Sequence, residues 1–593
     1  MNNSLTKNKS DDDFAGHASP YSLQTTLDGI IFVGLCVMCT GVLLMAIRLC
    51  YNYIRKFPTR KDSDLSDLDS PRPARTTVRY SASMWLVLLP CLVSFGEALK
   101  ILQIVPGFTN SHVLFNYRLA ETLKFLGHDV HMWTQMEMAM LDTGNNRLPA
   151  GVSEHRVPIH FRDKLKTEGL KVFQSLMFSN GDAYDLWWTG QEFKDMRVEA
   201  CAQMLQHDPQ VYAKFQAEHF DLAIAHFHDL CPLAIAEKIG VKKVIWITHG
   251  TSIYDFAAVQ LGLRTQPATI PHPLSSSGFT QSFTDRVFNV LWHVSLLDFV
   301  NLPQNLLHDE NEFYRNFVGN DKPDLWDLST NVAALLINGD RMLDFPRPLP
   351  SHITFSGELG QKKSSKPAEF DDNLSRILEK PSKGVVVFSL GTVSNTTNMP
   401  QQMIDSFVGA FSRLSDYTII WRMEGKVDGV DSMEHVHLLR WLPQKDIMKL
   451  PNMKLLIAHG GYNSLLETAQ VGVPAVLMPL FADQKINAMR AQRFGIARVL
   501  DKLNLTPDIV YEAVNDVLTD ENFARRAQKL SRMLADKPST KPFSALNYIL
   551  KLATTDTSYY TLRAAQHLSF ISYHSLDVLL VLFSGLVLLS LQI

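Results

Sequence analysis

The pattern of apolar and polar residues in the first half of the chain predicts strands and helices that alternate. The apolar run Lys100–Val105 predicts a buried strand, Phe115–Phe125 a helix, and Asp129–Thr134 the next strand. The runs Phe220–Ala225 and Lys243–Thr248 continue the alternation. Strands that alternate with helices are typical of a parallel sheet with helices on both faces.

A second unit of the same kind follows a polar stretch, Gly357–Asp372, whose composition suits an exposed hinge. Gly384–Ser389 predicts a strand, Met403–Leu414 a helix and Tyr417–Arg422 another strand. The predicted fold class is therefore α/β, with two Rossmann-like sheets that face a cleft. Ligands should bind at the carboxyl ends of the strands.

One turn in the second unit combines several features of an anion site. The apolar strand Lys454–Ala458 is followed by His459, Gly460 and Gly461, and then by a predicted helix, Tyr462–Val471. The free N–H groups and the positive dipole end of that helix favour a phosphate. The two glycines remove side chains that would block its approach.

Polar side chains around this turn could bind the rest of a nucleotide sugar. Asn463 and Ser464 add donors, and Glu467 lies on the same helix face, where its carboxylate could accept hydrogen bonds from ribose hydroxyls. Asp483 and Gln484 are predicted to end the next strand and to bind sugar hydroxyls.

Upstream of the turn, Trp441 offers a flat face for a base, and Gln444 offers an amide for the base edge or the ribose. Together these residues predict a nucleotide-sugar pocket.

These motifs resemble the UDP-glycosyltransferases, including the animal UDP-glucuronosyltransferases. The matching patterns are W-x-P-Q from Trp441, H-G-G-x-N-S-x-x-E from His459, G-V-P from Gly472 and D-Q from Asp483. The resemblance extends from about Leu99 to the C-terminus. It implies a GT-B architecture and a UDP-sugar donor, either UDP-glucuronate or UDP-glucose.

The resemblance also implies a catalytic base, His112, in the loop that follows the first strand. An imidazole has an ordinary pKa near 6.5, so a neutral ring is available at physiological pH. The family often carries an acid directly after the stretch Phe220–Ala225, where this chain has His226. We expect Asp229 to supply the charge that orients the base, with His226 as a neutral partner or a sign of altered activity.

The loop of Ser389, Gly391 and Thr392 resembles the family's loop beside the diphosphate. Arg422 either assists the donor or is an ordinary surface arginine. We expect no metal and no cofactor, because the histidines lack zinc spacing and because His459 and the helix end can neutralise the phosphate. The expected reaction is an inverting displacement that gives a β-glycoside.

The acceptor site is the least determined part of the chain. Five aromatic residues suit the lining of a pocket for small lipophilic acceptors or, alternatively, a core. They are Phe173, Phe178, Tyr184, Trp187 and Trp188.

Length and charge set outer limits on the protein. A chain of 593 residues suits two domains of about 200 residues with appendages. Its net charge of −3 argues against a nucleic-acid partner. Its six cysteines imply no disulfide framework. Cys201 and Cys231 either pair, if the domain is luminal, or remain buried thiols.

Three apolar segments predict contact with a membrane. Gly29–Ile47 is 19 residues long without a charge and could span a bilayer, with the basic loop after it in the cytosol. Met84–Phe95 is typical of a signal-peptide core. Leu576–Ile593 resembles the family's C-terminal anchor, although 18 residues make a marginal span. We expect an endoplasmic reticulum membrane protein with luminal catalytic domains.

The predicted organisation follows from these segments. The ranges are an N-terminal extension (1–83), a signal-like segment (84–98), an acceptor domain (99–350), a linker with the start of the second domain (351–383), a UDP-sugar domain (384–560) and an anchor (576–593). The extension is either natural or an artefact of the gene prediction. Whether copies of the chain form a homo-oligomer is left open.

Two other functions compete with a membrane-anchored transferase. One is a catalytically silent relative that binds a UDP-sugar as a scaffold, suggested by His226. The other is an isomerase of the UDP-GlcNAc 2-epimerase type, which shares two such domains. The predicted anchor and signal argue against the isomerase.

Overall fold

The computed structural model describes most of the chain from residue 98 onward. The described ranges are 98–107, 110–136, 148–161, 177–179, 195–227, 230–250, 252–253, 255–273, 281–295, 308–357, 370–391, 394–536, 543–555, 563–566 and 568–592. The predicted membrane segment Gly29–Ile47 and the signal-like Met84–Phe95 lie outside these ranges, as does most of the predicted hinge.

The first sheet has seven parallel strands in the order β3-β2-β1-β4-β5-β6-β7. Its strands are β1 (Lys100–Val105), β2 (Asp129–Met136), β3 (Ser153–Pro158), β4 (Leu222–His226), β5 (Val244–His249), β6 (Ala334–Asn338) and β7 (Ile353–Phe355).

The second sheet has six parallel strands in the order β10-β9-β8-β11-β12-β13. They are β8 (Val385–Ser389), β9 (Thr418–Arg422), β10 (Val436–Leu439), β11 (Met453–Ala458), β12 (Ala475–Leu477) and β13 (Ala497–Val499). Both sheets reverse their strand order at an inner strand, so the prediction of two doubly wound, Rossmann-like sheets is confirmed.

Helices connect the strands and cover both sheets. Up to the end of the first sheet they are α1 (Asn110–Phe125), α2 (Pro209–Ala217), α3 (Cys231–Ile239), α4 (Asp255–Gln260), α5 (Phe283–Ser295), α6 (His308–Val318) and α7 (Leu325–Ser329). The later helices are α8 (Asp372–Leu378), α9 (Gln401–Phe411), α10 (Gln444–Ile447), α11 (Tyr462–Val471), α12 (Gln484–Arg493), α13 (Pro507–Thr519), α14 (Glu521–Ala535), α15 (Ser544–Thr554), α16 (Arg563–Gln566), α17 (Phe570–Tyr573) and α18 (Leu576–Gln592).

Each sheet is buried on both faces, which explains why its central strands are apolar at nearly every position. In β8 all five residues are buried, and Phe388 stacks on Trp421 of β9 at a centroid distance of 5.1 Å. The helix α15 falls within the range predicted for the second domain, yet it packs on the first sheet. There Leu546 and Ile549 join the core that contains β6.

Two boundaries differ from the sequence prediction in ways that matter for the site. The helix α1 begins at Asn110, so His112 lies in its first turn and not in a loop. The strand β12 ends at Leu477, and Asp483 instead precedes α12 as its N-cap residue. The intervening loop contains Met478 and Leu480, which are both buried. Their apolar side chains give the loop the sequence pattern of a continuing strand.

Cys201 and Cys231 form a disulfide, which resolves the alternatives left by the sequence. Cys201 lies in a helical stretch of residues 195–205, and Cys231 begins α3. Both side chains are fully buried in the core of the first domain.

Buried polar contacts join the two domains directly. The carboxylate of Asp344, between β6 and β7, accepts hydrogen bonds from Arg490 of α12 (3.1 Å) and from Arg347 (2.8 Å). The hydroxyl of Tyr462, the first residue of α11, accepts a hydrogen bond from the backbone N–H of Asp340 at 2.9 Å. Both contacts connect loops at the carboxyl edge of the first sheet with helices of the second.

The predicted C-terminal anchor coincides with α18, which has 17 residues. Within the part of the chain that the structure describes, none of the helices combines the length and apolar character that a bilayer crossing requires.

The interdomain pair should be important for stability. We expect Asp344→Asn to lower the free energy of unfolding by about 3–5 kcal/mol, because it leaves two buried guanidinium groups without their shared carboxylate. Urea denaturation of the purified full chain measures the change. The matched control is Asp416→Asn, which breaks an exposed ion pair with Lys383 and should leave stability unchanged. Equal effects of the two variants would show that the buried pair has no special role.

Candidate active site

The turn after β11 has the backbone shape that the sequence predicted for an anion site. Gly460 has φ +81°, a left-handed conformation, and a Cβ at this position would lie 3.0 Å from the backbone oxygen of Gln484. Gly461 is the N-cap residue of α11, so the first free N–H groups of that helix follow it. The turn therefore brings the N-termini of α11 and α12 close together.

The imidazole of His459 fits between two glycines. A Cβ at Gly391 would lie 2.6 Å from its Cε1, and a Cβ at Gly461 would lie 2.7 Å from its Nε2. Its Nδ1 is buried and has no hydrogen-bond partner in the described part of the chain. Burial, helped by the charge of Arg422, lowers the pKa of His459 to about 4. The ring is thus neutral at pH 7 until an anion binds beside it and favours the protonated form.

Arg422 is buried at the end of β9, so the alternative of a surface arginine is wrong. Its guanidinium donates to the backbone oxygen of Gly391 and, at 3.1 Å, to the carboxylate of Glu424. It therefore holds the loop in which Ser389 and Gly391 were predicted to flank the diphosphate. Gly391 itself has φ +77°, which favours glycine.

The residues predicted to bind the nucleoside lie together at one edge of the second sheet. The amide nitrogen of Gln444 donates to Glu467 at 2.8 Å, and burial raises the pKa of that carboxyl group. The ring of Trp441 is half exposed, as a stacking platform requires. Asn463 is exposed one turn before Glu467, whereas Ser464 is buried.

Asp483 and Gln484 begin α12 close to the glycine turn. Asp483 accepts a hydrogen bond from Asn487 at 3.0 Å, and burial raises the pKa of its carboxyl group. The side-chain oxygen of Gln484 accepts hydrogen bonds from the backbone N–H groups of Leu480 (2.8 Å) and Phe481 (3.1 Å). That oxygen shapes the loop, so only the amide nitrogen of Gln484 remains for the predicted sugar contact.

The backbone of the first domain comes close to this site at Gly250. A Cβ at Gly250, the residue after β5, would lie 3.7 Å from a carboxylate oxygen of Asp483 and 3.5 Å from the Cβ of Tyr462. The candidate donor site is therefore at the boundary between the domains, as expected for a cleft ligand.

His112 is half buried in the first turn of α1, and burial lowers its pKa to about 4. Its ring lies 5.3 Å from that of His226, edge to face. Further along α1, the charge of Arg118 is near enough to Glu467 to oppose in part the rise in the pKa of that carboxyl group that burial causes. The helix that carries the predicted base thus runs past the predicted donor site.

A buried amide network fixes the surroundings of His112. The side-chain nitrogen of Gln103 in β1 donates to the backbone oxygen of Asn116 (2.9 Å) and to its side-chain oxygen (2.6 Å). The side-chain nitrogen of Asn116 then donates to the backbone oxygen of His112 (2.8 Å) and contacts Nε2 of His226 (3.0 Å).

This network determines the protonation state of His226. Two of its acceptors are backbone carbonyls, which cannot donate, so the amides of Gln103 and Asn116 have only one consistent orientation. Nε2 of His226 must therefore accept the hydrogen bond from Asn116, and the ring is neutral in this arrangement. That His226 serves the base as a neutral partner stays a prediction.

Sequence reasoning missed Gln103 and Asn116. A signal for both was present, since Gln103 interrupts an apolar strand and Asn116 follows His112 by one helical turn. Tyr462 and Asp340 were also missed, and their contact spans 122 residues of sequence, which no local pattern reveals.

Not all of the predicted site residues fall in the described part of the chain. Asp229 and Thr392 lie outside the described residues, as do Phe173, Tyr184, Trp187 and Trp188. Phe178 is described and packs in the core of the second domain, which favours the alternative of a core residue for this aromatic ring. The described residues include no group of three or more His, Cys, Asp or Glu side chains arranged to hold a metal ion.

The packing around His459 can be tested by adding one methyl group. Gly461 has φ −59°, which alanine tolerates, so Gly461→Ala should act through its added methyl group, which displaces the imidazole and narrows the approach of the diphosphate. We expect UDP affinity to fall about 10- to 100-fold, the range for a lost hydrogen bond to a charged group, as measured by isothermal titration calorimetry. Gly425→Ala is the control, because its Cβ would meet only Thr397 at 3.6 Å. Unchanged affinity in Gly461→Ala would exclude a role for the His459 position in UDP binding.

Comparison with known proteins identifies the family of the chain. A family model described as UDP-glucoronosyl and UDP-glucosyl transferase matches residues 100–592. The Caenorhabditis elegans protein ugt-60, which carries a UDP-glucuronosyltransferase name, is 69% identical over 497 residues, covering 84% of this chain and 97% of its own length. UDP-glucosyltransferase 2 of Dactylopius coccus is 26% identical over 516 residues, covering 83% of this chain and 92% of its own.

Solved structures share the fold at low identity. A UDP-glucosyltransferase from Polygonum tinctorium, in a complex with 3,4-dichloroaniline, superposes with a TM-score of 0.54 at 14% identity, over 78% of this chain and 100% of that one. The glycotransferase of kitacinnamycin gives a TM-score of 0.51 at 19% identity, over 77% and 100%. The two sheets are those of a GT-B-like glycosyltransferase fold. The chain belongs to the family of UDP-glucuronosyl and UDP-glucosyl transferases, enzymes whose donor is a UDP-sugar.

Proposed function

We propose that this enzyme transfers a glucuronosyl or glucosyl group from a UDP-sugar to a hydroxyl group of a small lipophilic acceptor, with inversion and with His112 as general base. The observation that carries the proposal is the placement of a neutral, half-buried imidazole on a helix that passes the donor site. A neutral ring can accept the acceptor's proton at physiological pH.

The donor is proposed to occupy the second domain in an extended arrangement. The uracil stacks on Trp441, and the ribose hydroxyls bind the carboxylate of Glu467, which Gln444 orients. The diphosphate lies at the N-terminus of α11, where free N–H groups and His459 meet it. Asp483 and the amide nitrogen of Gln484 are left for the hydroxyls of the sugar.

The chemical step is a single displacement. His112 removes the proton from the acceptor hydroxyl as its oxygen attacks the anomeric carbon. The bond to the diphosphate breaks, and UDP leaves with the electron pair. Attack from the face opposite to the leaving group converts an α-linked donor into a β-glycoside. The positive N-terminus of α11 and a protonated His459 stabilise the negative charge on the leaving diphosphate, so the proposed reaction needs no metal.

The imidazolium that forms on His112 needs a nearby charge. Asp229 remains the proposed source, with His226 as a neutral neighbour held by Asn116. Because His226 occupies the position where relatives often carry an acid, it also motivates a second candidate function, binding of a UDP-sugar without turnover.

Substitution of the two histidines should separate chemistry from donor binding. His112→Ala should abolish turnover while UDP affinity is preserved, whereas His459→Ala should weaken UDP binding. Burial lowers the pKa of His112 to about 4, and the base is active when unprotonated, so kcat/KM of the unaltered enzyme should fall only as the pH approaches about 4. Assays with UDP-glucuronate and UDP-glucose against a panel of phenols measure turnover and the pH dependence of kcat/KM. Isothermal titration calorimetry measures the UDP affinity of the two variants.

Two results would contradict this assignment. If His112→Ala kept most of its turnover with a native fold, another group would be the base. If the unaltered chain bound UDP but formed no product with any donor, the silent relative would be favoured.

We further propose that the catalytic domains lie in the lumen of the endoplasmic reticulum. The buried disulfide between Cys201 and Cys231 supports an oxidising compartment. The sequons at Asn373 and Asn504 are exposed, so a luminal glycosylation machinery could reach both, while Asn395 is half buried.

Glycosylation provides the test of this location. Microsomal protein should show a glycosidase-sensitive mass shift that disappears in the double variant Asn373→Gln, Asn504→Gln. Asn395→Gln serves as the control and should change the mass little. An unglycosylated catalytic region that protease digests in sealed microsomes would place it in the cytosol instead.

A further inference from the structure

The helix α5 (Phe283–Ser295) turns its polar side toward the protein. Asn289 is fully buried, and its side-chain nitrogen donates to the backbone oxygens of Pro267 (2.6 Å) and Ile270 (2.9 Å). Its side-chain oxygen accepts from the backbone N–H of His272 at 2.7 Å. One turn later His293 is also buried and contacts the backbone oxygen of Ile270 at 3.2 Å.

The opposite side of the same helix is apolar and faces outward. Its six large apolar side chains are between 38% and 73% exposed; they are Phe283, Val287, Phe288, Val290, Leu291 and Trp292. A surface helix of a water-soluble domain normally has the reverse arrangement. An apolar strip of this length indicates an interaction surface.

A second helix with exposed apolar side chains starts from the same part of the molecule. Along α18 apolar side chains are exposed around the helix, with Val581 at 70% and Leu586 at 65%. The segment that leads into α18 is fixed by Arg264, which donates to the backbone oxygen of Leu568 at 2.9 Å and lies over the ring of Tyr573.

Both helices are thus attached to one short stretch of the first domain. Arg264 holds the start of α18, and the backbone oxygens of Pro267 and Ile270, three and six residues later, hold Asn289 of α5. The medium or partner that covers the apolar face of α5 must therefore lie next to the one that surrounds α18.

We propose that α5 lies flat in the interface of a lipid bilayer, with its outward face among the acyl chains. A helix that is apolar around its whole circumference needs an apolar medium on all sides, which a bilayer provides and a single flat protein contact does not. Trp292 and Tyr573 are aromatic residues of the type that favours the headgroup region, and the exposed Arg286 of α5 can bind lipid phosphates. This surface is independent of the proposed reaction.

Fluorescence quenching can locate α5 in the bilayer while α18 is intact. The full chain is reconstituted with vesicles of phosphatidylcholine brominated on its acyl chains, which quench nearby tryptophans. The quenched fraction should decrease in Trp292→Phe, and what remains should disappear when Trp85, in the apolar segment Met84–Phe95, is also changed to Phe. The quenched fraction should persist in Trp441→Phe, which removes a similarly exposed ring at the donor site. Equal quenching in the unaltered chain and in Trp292→Phe would overturn the proposal.

A second measurement tests how much the apolar face of α5 contributes to membrane binding. The double variant Phe288→Ser, Leu291→Ser should lower partition into phosphatidylcholine vesicles about tenfold or more, with UDP affinity unchanged. The control, Leu503→Ser with Ile509→Ser, changes two apolar residues of the second domain that are 43% and 41% exposed and should partition like the unaltered chain. If the first double variant instead dissociates an oligomer in the absence of lipid, the face is a contact between copies and the proposal fails.

Discussion

The buried contact between Arg490 and Asp344 is the interaction on which the geometry of the site depends. Asp344 belongs to the first domain and is also bound by Arg347, so its carboxylate is held on both sides. Arg490 donates to the side-chain oxygen of Asn487 at 2.7 Å, and Asn487 in turn donates to Asp483. The carboxylate proposed to bind the sugar is therefore fixed relative to the first domain through a continuous chain of hydrogen bonds.

The fold was predictable because its determinants are local. Parallel strands buried on both faces are apolar at successive positions, and the glycine turn before α11 marks the helix start without ambiguity. The predicted start of α1 and the predicted end of β12 were wrong. A turn of polar residues can begin a helix, and a buried loop can be as apolar as a strand. The partners across the domains were not predictable, because Asp344 and Arg490 are 146 residues apart.

The candidate site shows the same division between local and distant information. Motif residues such as Gln444 and Glu467 do meet, although they bind each other before any ligand is considered. The protonation state of His226 could not be deduced from its neighbours in sequence. It depends on Gln103 from β1 and Asn116 from α1, which tertiary packing brings beside β4. The acceptor pocket stays a prediction for a related reason, since most of its candidate residues lie outside the described ranges.

The return of α15 to the first sheet has a consequence for biosynthesis. Leu546, Ile549, Leu550 and Ala553 complete a core whose first strand is β1, more than four hundred residues earlier in the chain. The ribosome therefore releases the whole second domain before the first can close its hydrophobic interior. Until the second domain has been synthesised, α15 is absent and part of the first sheet stays uncovered. Chaperones of the nascent chain would find their main binding surface there.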